Sequence, residues 1–241
     1  MAADVGKERG VVTDRDREIV EWVGRLGAAR ARDVMARFAL GRSAAYRRLG
    51  VLVDVELLRP VRLLHARPAL LVVTRDGLRF VGLGDYEVCH VVVASANHWA
   101  QCARVAVALE RSEPGRRVRS ERELRAVEIE RGQAVASAQL GRLPDGRARL
   151  RRPDLVLTSR DGGLPIPIEV ELSVKAPRRL EAICRAWARC RIVDGVRYYA
   201  PPHVARAVRR AADKVHATDA IDVRSLDELL RGEVRDDRLA A

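Results

Sequence analysis

Two apolar runs close together in the chain, RPDLVL at 152–157 and PIPIEVELSVK at 165–175, carry carboxylates where buried strands ordinarily carry none. Asp154 stands at the head of the first run, and Glu169 and Glu171 lie inside the second. Both runs are rich in branched aliphatic residues and have the length of strands. Side chains two apart on a strand point to one face, so Glu169 and Glu171 are expected to look out together. Asp154 joins them from a neighbouring strand. A buried strand rarely keeps a carboxylate unless something compensates its charge. Lys175 lies four residues beyond Glu171, and it is one of only three lysines, with Lys7 and Lys214, among 45 Lys plus Arg.

Carboxylates in this pattern suit a hard divalent cation, Mg2+ or Mn2+. Such ions take carboxylate and water oxygens, and in hydrolytic sites they orient a phosphate, activate a water and neutralise developing charge. An ammonium nearby adds positive charge where the transition state needs it. Two Glu on one strand face and an Asp before a strand are also ordinary surface features of a chain that is 32% charged. The strongly apolar flanks, LVL and IPIEVEL, argue against that plainer account.

The same residues resemble the PD-(D/E)xK nuclease superfamily, in which an Asp after a Pro precedes an acidic residue, one spacer and a Lys on the next strand. Pro153, Asp154 and Glu169 match the pattern, while Glu171 stands where its Lys would be. The resemblance implies that Lys175 fills the lysine role, with the chain folding back after Ser173.

The first eighty residues have a separate logic. Thr13 and Asp14 read as helix caps for a segment in which Ile19, Val20, Val23 and Leu26 recur at helical spacing, and Gly27 ends it. A second helix fits Ala31 to Phe38 and a third Ser43 to Val53, which suggests a helix-turn-helix. The third helix would turn Arg42, Ser43, Tyr46 and Arg47 outward, side chains that phosphates and base edges accept in a major groove. VRLLH at 61–65 and LLVVT at 70–74 read as the arms of a β-hairpin wing, with His65 and Arg67 near its tip. The segment at 74–83 closes the module as a helix capped by Thr74. Such a module also serves protein contacts or dimerisation, and a basic face by itself often only keeps a protein in solution.

Beyond it, Ala94 to Arg111 reads as a helix packed through Trp99, Ala103, Val105, Ala106 and Leu109. In VRSERELR at 118–125, Glu121 and Glu123 share strand parity, and either can approach Asp154. Residues 128–151 read as a long loop or irregular hairpin, Pro177 to Arg191 as a helix, 196–201 as a strand, His203 to Val215 as a basic helix, and 221–230 as a last strand and helix. A formal charge of +12 and a pI near 10.6 call for an anionic partner. Forty-two Arg against three Lys reflects GC-rich codon usage as well, but the excess of base over acid does not. Cys89, Cys102, Cys184 and Cys190 show no zinc spacing with the histidines, and their expected role is as buried small hydrophobes with free thiols. The N-terminus lacks the apolar core of a signal peptide and no apolar span is long enough for a membrane, so a cytoplasmic, nucleoid- or plasmid-associated protein is expected.

HWAQCARVAVALE at 98–110, SERELR at 120–125, RRPDLVL at 151–157 and EVELSVKAPRRL at 169–180 occur in the order seen in replication-relaxation proteins of bacterial plasmids and mobile elements, where a winged module also precedes them. By that resemblance the site comprises Glu121, Asp154, Glu169, Glu171 and Lys175, with Glu121, Asp154 and Glu169 holding the metal. His98 matches the family's helix, but such a residue is more often a helix-packing one and stands outside the site. The expected architecture is α+β, an N-terminal winged helix-turn-helix over 1–84 followed by an α/β restriction-endonuclease-like (PD-(D/E)xK) domain over 85–241. The expected function is double-stranded DNA binding with metal-dependent phosphodiester hydrolysis; the alternative is a non-catalytic regulator of replication or transfer on a nuclease-like scaffold. A homodimer and replication or mobilisation proteins are further candidate partners.

Overall fold

The computed structural model describes residues 11–63, 67–159 and 161–239, with side chains through residue 232. It is an α+β protein whose contacts divide it into two units, 1–103 and 104–241.

The N-terminal unit opens with α1 (Asp14–Leu26), started by a reciprocal box in which Thr13 accepts from the Asp16 N–H and the Asp16 carboxylate accepts from the Thr13 N–H. Gly27 ends it at φ 101°, and a Cβ there would lie 2.8 Å from the Trp99 ring, so both backbone and packing demand glycine. Next come β1 (Ala28–Arg30), α2 (Ala31–Phe38) and α3 (Arg42–Asp54). Trp22 of α1 meets Phe38 of α2 edge to face, with ring centroids 6.0 Å apart. Ile19, Val20 and Val23 of α1 and Ala45, Leu49 and Leu52 of α3 are buried.

Strands β2 (Leu58–Val61) and β3 (Leu70–Val73) pair antiparallel, from Leu58 opposite Val73 to Val61 opposite Leu70. The first arm thus starts at Leu58 rather than at Val61 as the sequence suggests, because the register is set by the fully buried β3. On the other edge of β3, the short β1 adds a strand that sequence periodicity does not reveal, since AAR is too short for an alternation. Helix α4 (Arg75–Phe80) is capped by Thr74, whose hydroxyl accepts from the Gly77 N–H at 3.0 Å.

Helix α5 (Val93–Ser112) carries the chain across the division between the units. In the C-terminal unit, β4 (Arg116–Ser120) leads directly into α6 (Glu121–Arg131). Ser120 and Glu123 form a capping box, so Glu121 and Glu123 occupy the first turn of a helix and not one face of a strand. The segment to residue 151, expected as loop or irregular hairpin, holds the end of α6 and then a hairpin of β5 (Ala138–Arg142) and β6 (Ala148–Arg151) with an irregularity between Gln139 and Gly141.

Then follow β7 (Leu155–Ser159), β8 (Ile166–Val170), α7 (Pro177–Ala188), β9 (Val196–Ala200), α8 (Pro202–Lys214), β10 (Ile221–Ser225) and α9 (Leu226–Leu239). Among the described residues they form a mixed five-stranded sheet in the order β10-β9-β8-β7-β4. β4, β7 and β8 pair antiparallel, and β8, β9 and β10 pair parallel. Parallel neighbours need a long crossover, which α7 and α8 supply. Both helices bury one face against the sheet, with Trp187, Val204 and Val208 packed beside Tyr198 and Val196. β8 lies at the centre and is buried at all five positions, so the carboxylate of Glu169 sits inside the protein.

Candidate functional site

Two surfaces carry the residues singled out by the sequence. In the N-terminal unit, α3 presents Arg42, Ser43, Tyr46 and Arg47 to solvent together, with Tyr46 56% exposed. The Arg42 guanidinium lies 5.9 Å from the centre of the Tyr46 ring, a stacked pair that holds a cation beside an exposed aromatic face. The next residue on the helix turns the other way: Arg48 donates from Nε at 3.0 Å to Asp16 on α1 and from Nη2 to its other oxygen. Burial raises the Asp16 carboxyl, but the bonds from Arg48 and Thr13 outweigh it and hold the pKa below the ordinary aspartate value. The outward face of α3 is therefore tied from behind to α1 by an ion pair between half-buried Arg48 and buried Asp16.

Tyr46 also borders a cleft of about 930 Å³ between α3 and the β2–β3 segment, lined by Arg30, Val53, Pro60, Arg62 and Arg67 among others. Arg67 is exposed at this cleft. His65 lies outside the described residues.

In the C-terminal unit, β7 and β8 bring Asp154 and Glu169 to one place. The Asp154 Oδ2 accepts the Val170 N–H at 2.7 Å, which ties the head of β7 to the end of β8. Glu169 is 1% exposed, and its carboxylate is gripped by a residue that no local sequence pattern marks. Arg151, at the end of β6, donates from Nε to Glu169 Oε1 at 2.9 Å and from Nη2 to Oε2. Burial, helped by the neighbouring Asp154 charge, outweighs the downward pull of Arg151 and leaves the Glu169 carboxyl raised to about 7.

Glu171 follows β8 directly and stays on its line, its N–H donating to the Tyr199 carbonyl at 3.1 Å. Its carboxylate pairs with Lys175, so the chain does fold back after Ser173. Burial and the Arg151 charge push the Lys175 ammonium down, against the pull of Glu169 and Asp154. Arg151, Asp154, Glu169 and Lys175 thus act on one another as a single charge cluster.

Glu121 is adjacent but turned elsewhere. Its N–H donates to the Asp154 carbonyl at 3.0 Å, whereas its carboxylate takes Arg125 at 2.7 Å near the surface. A Mg2+ or Mn2+ ion needs several unshared oxygens at about 2 Å. Here both Glu169 oxygens hold Arg151, Glu171 holds Lys175, and among the described residues Glu121, Asp154 and Glu169 do not gather oxygens within 4.8 Å of one another. As arranged, the donor set does not fit the ion.

Arg152, next to Arg151, points to the opposite side and bonds the buried Glu128 at 2.9 Å. Alternation along β6 and its extension decides which arginine meets which acid. Comparison of the chain with protein-family models, with curated proteins and with solved structures gives no match.

Proposed function

We propose that the protein binds double-stranded DNA through its N-terminal unit, a winged helix-turn-helix, and regulates replication or transfer of a plasmid or mobile element from the cytoplasm. The observation that carries this reading is the outward row of α3, Arg42, Ser43, Tyr46 and Arg47, braced from behind by Arg48 and Asp16. A rigid helix bearing two arginines, a hydroxyl and an exposed aromatic ring suits insertion into a major groove with contacts to phosphates and base edges. The adjacent Arg62 and Arg67 and the net charge of +12 favour the same partner. The order of motifs from 98 to 180, which resembles the replication-relaxation family, supports the plasmid setting.

The C-terminal unit is, in this proposal, a PD-(D/E)xK-like domain. Its support is the run of three antiparallel strands, a crossover helix and a parallel strand, with Pro153, Asp154 and Glu169 at the sheet's acidic end. With Glu169 sealed by Arg151, the domain serves as a scaffold and does not cut. A second reading, metal-dependent nicking by Asp154, Glu169, Glu171 and Lys175, is favoured by one observation, the return of Lys175 to the field of Asp154 and Glu169.

Supercoiled plasmid incubated with the protein in Mg2+, Mn2+ or EDTA separates the two. The expected result is a retarded plasmid whose topoisomers are unchanged in all three conditions. Nicking that requires metal and disappears in Asp154→Ala and Glu169→Ala would replace the scaffold reading with the nuclease.

A further inference from the structure

We propose that Arg151 is a resident cation of the acidic site, occupying Glu169 in place of a divalent metal and keeping such ions out. This rests on the reading of Asp154 and Glu169 as a nuclease-like acidic pair. The guanidinium covers both oxygens of Glu169, through Nε at 2.9 Å and through Nη2. The planar fork of Arg matches a carboxylate bidentately, stays charged at any relevant pH, and sheds water more readily than an ammonium, so it suits a buried acid better than lysine does. Asp154 adds a second negative charge acting on the same guanidinium.

A metal ion needs the oxygens that Arg151 holds, and two cations cannot share them without strong repulsion. Entry therefore requires the arginine to leave, which breaks a pair whose acidic partner is almost fully buried. The Arg151 side chain is itself 25% exposed, so it has a way out toward solvent. At the Asp154–Glu169 pair, exclusion thus rests on one side chain and is lifted by one substitution, whereas these two acids and the sheet that positions them stay in place.

Binding of Mn2+ itself tests the proposal, read by electron paramagnetic resonance of the free ion and, separately, by the rise in melting temperature on adding MnCl2. The proteins are wild type, Arg151→Lys and Arg151→Gln, with Arg151→Gln/Asp154→Asn as the control. Arg151→Lys keeps a cation on Glu169, and with it the fold, but a point charge cannot hold both oxygens. The expected order of affinity is wild type weakest, Arg151→Lys intermediate and Arg151→Gln strongest, by about tenfold or more over wild type, with the gain lost in the double variant. Wild type binding Mn2+ as tightly as the variants overturns the role of Arg151 and leaves the nuclease-like site standing. Absence of binding in wild type and every variant overturns both.

Discussion

At the scale of single residues, buried carboxylates set the terms, and each is explained by the donor that meets it. Asp16 is fully buried yet accepts from Thr13 and Arg48, and its carboxyl is held below the ordinary aspartate value. A group with a lowered folded pKa contributes stability above its unfolded pKa and loses it as pH falls through the folded one. Wild type should therefore melt well above Asp16→Asn at neutral pH, and the gap should close as the solution is acidified below the ordinary aspartate range. A gap that stays constant with pH would mean that the charge of Asp16 contributes nothing. Arg48→Ala, which strands that buried acid, should cost on the order of 1–3 kcal/mol in urea unfolding. The acids Asp154, Glu169 and Glu171 were legible in the sequence because each stands at the head of an apolar run or inside one. Arg151 was not, because its partner lies eighteen residues away on another strand, and no local pattern distinguishes it from Arg152, which serves Glu128 instead.

Among the elements, helices with caps and apolar stripes were the most legible. The turn at Gly27, the span of α2 and the Thr74 cap of α4 all follow from local chemistry that the structure repeats. What escaped depends on contacts distant in sequence or on a competing local signal. β1 exists because β3 has a free edge for it, and the start of β2 is fixed by its register against β3. The alternation of Glu121 and Glu123 suits a strand, but Ser120-x-x-Glu123 is also a capping-box pattern, and the box prevails once β4 ends. Packing of α4 makes a sharp prediction. A Cβ on Gly77 would come within 2.3 Å of the Leu57 carbonyl oxygen, a backbone atom that cannot swing aside. Gly77→Ala should therefore destabilise the N-terminal unit by about 1–3 kcal/mol as an overpacked contact, measured as a lowered urea midpoint. An unchanged midpoint would show that α4 can shift off β2 at little cost.

For the whole molecule, two units share one chain, and among the described residues no helix is long and apolar enough to cross a membrane. The strongly basic balance, +12 over 241 residues, belongs to this scale and favours the proposed partner, duplex DNA held through α3. Phosphate contacts release counterions, so affinity for a fluorescent duplex should fall by about a decade or more for a few-fold rise in salt. The most direct measurement is fluorescence anisotropy of such a duplex titrated with wild type and with Arg47→Ala across a series of salt concentrations. Steep salt dependence is expected for wild type, and for Arg47→Ala weaker binding at every salt with a slope reduced by about one. A flat salt response in wild type, or an Arg47→Ala curve that overlays it, would contradict the claim.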